Sequence, residues 1–278
     1  MKTAIVIVNY NDYETTKDFL KSIKNYKILD LIVVVDNNST DDSYKLLKKL
    51  EKDNIVVLKA QKNGGYGYGN NIGIKYAIKK LKECNIIISN PDIIVKEKTI
   101  KRLLKVLNLK KEYAIVGPII NTRGILDKGW RLSTGFEELL LTIPKYGTKN
   151  RNKIIGYNND YYDKEVKEVD VVSGCFFITK ANCFKEIKYF DENLFLYYEE
   201  NVISKKLKDR GYKIVLDTSS EIIHNHSVSI NKTHSSYSKY KVLKESQKYY
   251  LDNYCKANIL TKFIIRIIVK LTLLIKKK

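Results

Sequence analysis

Cysteine is scarce and scattered. Cys84, Cys175, Cys183 and Cys255 are the only ones in 278 residues, and no two form a CxxC pair. That spacing excludes a zinc ribbon or a disulfide framework and fits a reducing compartment. Long apolar runs are missing too. No stretch has the roughly eighteen uncharged apolar residues of a membrane-spanning helix. The start, MKTAIVIVNYND, has a short apolar run that leads into Asn-Tyr-Asn-Asp, so it reads as a buried strand and not as a signal peptide. Acid is under-represented: 51 Lys+Arg face 31 Asp+Glu, a formal net charge of +20. The excess predicts attraction to phosphate, acidic lipid or nucleic acid, or else a simply well-solvated surface. Lysine outnumbers arginine and the charge is spread along the chain. That argues against a groove-reading nucleic-acid protein.

What is present is a clean alternation. Residues 4–8, 31–35, 55–58, 85–89 and 114–116 are β-branched apolar runs. Between them, residues 13–25, 39–53, 71–82 and 99–107 have helical spacing, and STDD resembles a helix cap. Buried strands separated by amphipathic helices predict an α/β fold with a mostly parallel sheet flanked by helices. Residues 121–169 hold the only tryptophan, Trp130, and predict an irregular insertion, either a surface excursion or an acceptor-binding region. Further on, 171–179 predicts a strand and 195–209 a helix with two carboxylates near its start. Short strands are predicted at 213–217 and 221–223, and a basic, tyrosine-rich helix at 237–253.

In open α/β sheets ligands bind outside the carboxyl ends of the strands. Those ends are Asn9-Tyr10-Asn11-Asp12, Asp36-Asn37-Asn38-Ser39, Gln61-Lys62-Asn63-Gly64 and Asn90-Pro91-Asp92, all polar. The run NGGYGYGNNIG follows the third strand and contains no GxGxxG, and no GxxxxGK occurs anywhere. A dinucleotide fingerprint and a P-loop are thereby excluded. A mononucleotide fits better. Asp36 can accept the imide N–H of a pyrimidine framed by Asn9 and Tyr10. Asn63 and the glycines would lie along the ribose and phosphates, and Asn71 would open a helix whose amides favour anions. Asp92 would sit near the diphosphate.

These stretches, with VSGCFFITKANCFKEIKYFDENLFLYYEEN, KLKDRGYKIV and IIHNHSVSI, cover about residues 3–230 in one order. Together they resemble glycosyltransferase family 2, inverting enzymes of the GT-A (Rossmann-like) fold, and within it bacterial polysaccharide enzymes of the rhamnosyltransferase type. The resemblance implies that Asn9, Tyr10, Asp36 and Asn38 hold the nucleoside and that Asn63, Gly65 and Asn71 lie along the donor. It implies Asp92 as the last Asp of a DxD motif that binds Mg²⁺ or Mn²⁺ through the diphosphate, and His224 as a further metal or diphosphate ligand. Glu200 takes the place of the catalytic Asp, and Glu199 that of the Glu before it. The chain departs from the family twice. DxD reads Asn90-Pro91-Asp92, which removes one oxygen ligand for a hard cation. The usual Glu-Asp reads Glu199-Glu200, followed by Asn201.

The resemblance further implies a nucleoside-diphosphate sugar donor, dTDP-rhamnose first and UDP-hexose or UDP-galactofuranose behind. The acceptor would be a polyprenyl-diphosphate-linked glycan of capsule or O-antigen synthesis. The chain would divide into a GT-A domain over 1–230, with a nucleotide-sugar half (1–120) and an acceptor half (121–230), and a helical extension over 231–278. In that extension TKFIIRIIVKLTLLIKKK spaces Lys262, Arg266 and Lys270 four apart beside a wide apolar arc. It predicts peripheral binding to an anionic membrane surface, here the cytoplasmic face of the plasma membrane. Rival classes are a nucleotidyltransferase, a non-catalytic nucleic-acid binder and a relative that has lost activity. No nucleic-acid partner is expected, and a homodimer is left open.

Overall fold

The computed structural model describes residues 1–225 and 236–276. His226, which forms a His-x-His pair with His224 in the sequence, lies outside them. One ten-stranded sheet runs through the protein. Its order is β3-β2-β1-β4-β9-β6-β10-β5, with β7 against β6 and β8 against β10. The strands are β1 (Lys2–Asn9), β2 (Leu31–Asp36), β3 (Ile55–Lys59), β4 (Cys84–Ser89), β5 (Ile93–Ile94), β6 (Tyr113–Thr122), β7 (Ile125–Asp127), β8 (Val166–Val169), β9 (Phe176–Lys180) and β10 (Lys213–His224).

Side-chain alternation along each strand splits the core between two faces. From β1, Ile5 and Ile7 point to the face covered by α1 (Tyr13–Ile23), α2 (Ser43–Lys48) and α4 (Glu97–Leu107). Ala4 and Val6 point to the other face, under α3 (Tyr66–Leu81), α7 (Ala181–Glu186) and α8 (Glu199–Lys208). Both faces are buried, which is why these strands are apolar throughout.

β1 to β4 are mutually parallel, as expected, but the other half is mixed. β9 runs antiparallel to both β4 and β6. β9 pairs with neither of its neighbours in sequence, β8 and β10, so no short connection announces its direction. Apolar runs reveal burial but not direction. The strand expected over 171–179 shortens to β9, because Gly174 and Cys175 form a turn and Val171 instead bridges Trp130. The two short strands after α8 are one strand, β10, with a bulge between Asp217 and Glu221. Ser219 and Ser220 in the bulge donate to the Asp217 carboxylate, which also meets Arg102.

The insertion is more regular than expected. It forms α5 (Gly135–Thr142) and α6 (Tyr146–Ile155), and Trp130, Ile154, Ile155 and Val171 make a small core of their own. Two further helices follow, α9 (Ser236–Asn253) and α10 (Ile259–Lys276). α9 is packed into the body through Gln247, Tyr250 and Leu251, all buried. Gln247 donates to the buried Glu138 of α5, 2.6 Å, and Glu138 also accepts from Tyr198 at 2.7 Å.

α3 begins five residues earlier than the sequence suggests, inside the glycine run. Its glycines let the helix lie close on the sheet. A Cβ at Gly69 would stand 2.9 Å from Val8 Cγ1, and one at Gly73 would overlap Val6. Val6 and Val35 are stiff at χ1 and have little room to yield. Gly73→Ala is therefore expected to destabilise by about 1–3 kcal/mol, the usual cost of overpacking. It would appear as a lower urea midpoint with unchanged slope.

Candidate active site

The strand register builds one polar edge. Asn9 pairs with Asp36, and Asp36 with Lys59, so the exits of β1, β2 and β3 stand side by side. Asp36 is fully buried. Its carboxylate accepts from Asn9 Nδ2 at 2.9 Å, Ser39 N at 2.9 Å and Ser39 Oγ at 2.6 Å. Asn9 Oδ1 in turn accepts from Thr16 Oγ1 at 2.8 Å. Asn9 and Asp36 thus brace the edge from inside, while Tyr10 and Asn38 are half-exposed beside them. Asn38 has a φ of +61°, which turns the chain sharply after the strand.

Asn37 was not foreseen. It is buried, and its amide donates to Asn63 Oδ1 and to the Gly65 carbonyl, both at 3.0 Å. Its own Oδ1 has no hydrogen-bond partner. Asn37 follows the last residue of β2, and the polar run Asp36-Asn37-Asn38-Ser39 does not tell which of its side chains turns inward.

The glycine run approaches another part of the same chain. Gly65 has a φ of +89°, and a Cβ there would overlap the Phe195 carbonyl. The next amide, Tyr66 N, donates to that carbonyl at 2.8 Å. Asn71 is also committed to this segment. It exchanges hydrogen bonds with the Phe190 backbone and donates to Glu192 Oε1 at 2.8 Å. Asn63 is half-exposed at the mouth of the turn, whereas Asn71 is buried behind it.

Asn90-Pro91-Asp92 leads into β5, which pairs antiparallel with the end of β10 so that Ile93 faces His224. That pairing sets His224 Nε2 3.2 Å from Asp92 Oδ1. Asn225 N donates to the Asp92 carbonyl at 2.9 Å. Burial alone would pull the His224 imidazole down, but the Asp92 carboxylate and Cys175 outweigh it and raise the pKa to about 10. Without a cation, the imidazolium is thus the counter-ion of Asp92. Asp92 Oδ1 is buried, and the His224 imidazole is the charged group beside it. Among the described residues no group of three or more His, Cys, Asp or Glu could hold a metal ion. The pair fits a divalent cation whose other ligands come from a diphosphate or water.

Tyr197 and Tyr198 adopt φ of +72° and +68°, so α8 starts only at Glu199, four residues later than the sequence pattern suggests. Such backbone costs roughly 1–3 kcal/mol per residue and persists only when its surroundings hold it. Here Glu138 holds the Tyr198 hydroxyl, and Ser246 Oγ of α9 donates to the Leu196 carbonyl at 2.7 Å. The two carboxyls that follow differ in exposure. Glu199 is buried, with Oε1 unpartnered; Glu200 is half-buried, its Oε2 3.7 Å from where a Cβ on Gly174 would stand. Burial pushes the Glu199 carboxyl well above the ordinary range, and the Glu200 charge adds to this. Burial also raises Glu200, opposed by the Arg151 guanidinium and by a hydrogen bond from Glu199. Both carboxyls are therefore held above the ordinary range, Glu199 the further of the two.

The turn Ser173-Gly174-Cys175 is the common wall. Tyr66 Oη donates to the Gly174 carbonyl at 2.6 Å, and Asn90 N to the Cys175 carbonyl at 2.8 Å. Cys175 touches His224, and Glu200 lies over Gly174. The insertion reaches the same place. Trp130 Nε1 donates to Asn201 Oδ1 at 3.3 Å, and the Arg151 guanidinium lies 4.5 Å above the Trp130 ring. Arg151 and Trp130 were not foreseen as site residues; the lone tryptophan of the chain was the available signal.

The sequence model of Glycosyl transferase family 2 matches residues 4–187. A low-salt glycan biosynthesis hexosyltransferase, Agl10 of Haloferax volcanii, is 28% identical over 240 residues, 85% of this chain and 71% of its own. Rhamnosyltransferase WbbL of Escherichia coli is 22% identical over 231 residues, covering 76% and 78%. Among solved structures, GalNAc-T7 with UDP, GalNAc and Mn²⁺ superposes with a TM-score of 0.63 at 16% identity. That match takes in 96% of this chain, which spans only 56% of the GalNAc-T7 chain. The likeness bears out the GT-A fold.

A carboxyl raised on folding keeps a proton that the unfolded chain releases. Its burial therefore costs stability once the pH exceeds the unfolded value. Glu199→Gln is expected to raise the melting temperature at neutral pH, with the gain shrinking as pH falls through the ordinary carboxylate range. A gain independent of pH would mean that Glu199 is not the buried proton holder.

Proposed function

The chain belongs to glycosyl transferase family 2, and from that membership we propose that it moves a sugar from a nucleoside diphosphate to a hydroxyl of a lipid-linked glycan with inversion. The observation that carries this reading is the Ser173–Cys175 turn, which holds Glu200 on one side and the Asp92–His224 pair on the other. The acceptor oxygen attacks the anomeric carbon from the Glu200 side and its proton passes to the Glu200 carboxylate. The bond from the anomeric carbon to the phosphate oxygen breaks, and the nucleoside diphosphate leaves with the electron pair. A divalent cation held by Asp92 and His224 would offset the charge gathering on that diphosphate. Tyr10, Asn38 and Asn63 line the nucleoside side of the edge, with Asn9, Asp36, Gly65 and Asn71 fixing its shape. Trp130 and Arg151 face the acceptor.

For the donor, dTDP-rhamnose is the first choice, in line with the WbbL relative, and a hexose nucleotide the second, in line with the Agl10 relative. The glycan we propose is one of capsule or O-antigen synthesis, a role compatible with a lipid-linked acceptor. The C-terminal helix supports a peripheral membrane position on the cytoplasmic face. Among the described residues no helix is long and apolar enough to cross a membrane. α10 nevertheless leaves Leu260, Phe263, Ile267, Leu271 and Leu274 exposed, a stripe at helical spacing.

Glu200→Gln should lower kcat by about two to four orders of magnitude, the usual contribution of a positioned base, with the donor KM little changed. Because burial raises the Glu200 carboxyl, wild-type activity should fall on acidification above the ordinary carboxylate range. Loss of KM instead of kcat would assign Glu200 to binding. In a thermal-shift screen of dTDP-rhamnose, UDP-glucose and GDP-mannose, one nucleotide sugar should stabilise the protein, more so with Mn²⁺. His224→Ala and Asp92→Asn should remove the Mn²⁺-dependent part, and an unchanged response would remove the cation from these two side chains. Deleting residues 258–278 should release the protein from vesicles containing anionic lipid; retention would refute α10 as the anchor.

A further inference from the structure

α9 and α10 enclose a cleft of about 260 Å³ that the transfer reaction does not use. Its floor is apolar: Leu251 and Ile265 are buried, and Val269 and Leu273 continue the surface along α10. Its walls carry six basic side chains against two acidic ones. The acids are already engaged. Asp252 lies 3.4 Å from Lys262 and 3.5 Å from Arg266, and Glu245 lies 3.9 Å from Lys241. Lys248 and Lys270 are exposed on the rim, and no acidic side chain pairs with either among the described residues. Deeper in, the buried Lys244 donates to Gln247 Oε1 at 2.8 Å. Burial pulls its pKa down to about 8, so a nearby anion would favour its charged form.

An apolar floor under a cationic rim asks for a ligand with both characters. A bare phosphate ion leaves the floor wet, and a neutral amphiphile leaves the cations unmatched. The size narrows the choice. Small-molecule pockets run to roughly 300–1,000 Å³, so this cleft takes a phosphate and part of one alkyl chain but not a whole two-chain lipid. We propose that it binds an anionic phospholipid of the membrane surface. The headgroup phosphate lies between Lys248 and Lys270, and the first part of one chain lies along Leu251, Ile265, Val269 and Leu273. This rests on the peripheral membrane position proposed above but not on the transferase chemistry, since a chain without transferase activity would keep the cleft.

The test uses the full-length protein and three probes at equal concentration below any micelle threshold: dodecyl phosphate, dodecyl maltoside and sodium phosphate. Binding is read by titration calorimetry. Dodecyl phosphate is expected to bind at least tenfold more tightly than either of the others. Lys248→Glu combined with Lys270→Glu is expected to weaken that binding at least tenfold. Both positions are on the rim, so the variant should fold and keep the parent's melting temperature. Val269→Asp, which spoils the floor but not the rim, should also weaken dodecyl phosphate. Equal binding of dodecyl maltoside would mean simple adsorption to apolar surface, and equal binding of sodium phosphate a bare anion site; either result overturns the proposal. So does unchanged affinity in the rim variant. Donor-induced stabilisation, measured on the same preparations, reports the transferase reading separately.

Discussion

The structure depends on two backbones touching where Gly65 meets Phe195. The amide after the glycine donates to the Phe195 carbonyl, and the glycine leaves no side chain in the way. One strand of the contact belongs to the start of α3, on the nucleotide edge. The other leads within four residues to the glutamates of α8. Any side chain at position 65 would force the start of α3 away from the segment that leads into α8. Asn71, bonded to Phe190 and Glu192, holds the same two pieces together a helical turn later.

The strained turn before α8 is supported from the far side. Glu138 and Ser246 fix Tyr198 and Leu196, and Tyr249 and Tyr254 donate to Asp191 at 2.9 and 2.6 Å. α9 is therefore part of the framework that fixes the start of α8, although it follows the sheet and residues 226–235 in sequence. The two C-terminal helices divide the labour. α9 braces the site, while α10 carries the exposed apolar stripe.

The nucleotide half was legible because its strands are buried on both faces and its helices are amphipathic, so two periodicities point to the same alternation. The order of the polar strand exits was legible for the same reason. The later half was less so. No short connection fixes the direction of β9, and the two left-handed tyrosines ahead of α8 carry no glycine or asparagine to announce them. The strand exits pointed to Asp92 and the helix pattern to the glutamates, resemblance added His224 and the roles of all four, and the structure brings them to one wall. Resemblance could not indicate that Asn9 and Asp36 bond to each other, nor that Asn37, between residues already chosen, makes the contact to the glycine turn. Trp130 and Arg151 come from an excursion without periodic signal, and only its packing places them.

The pairing of β5 with β10 has a kinetic implication. The groups suited to a cation come from the middle and the far end of the sheet's sequence, and they meet only through a two-residue edge strand. A contact between such distant chain segments pays its loop-closure entropy late in folding. A nascent chain that has completed β1 to β4 already displays the polar nucleotide edge but lacks the imidazole. The Asp92–His224 pair is therefore assembled only once the end of β10 has docked on β5.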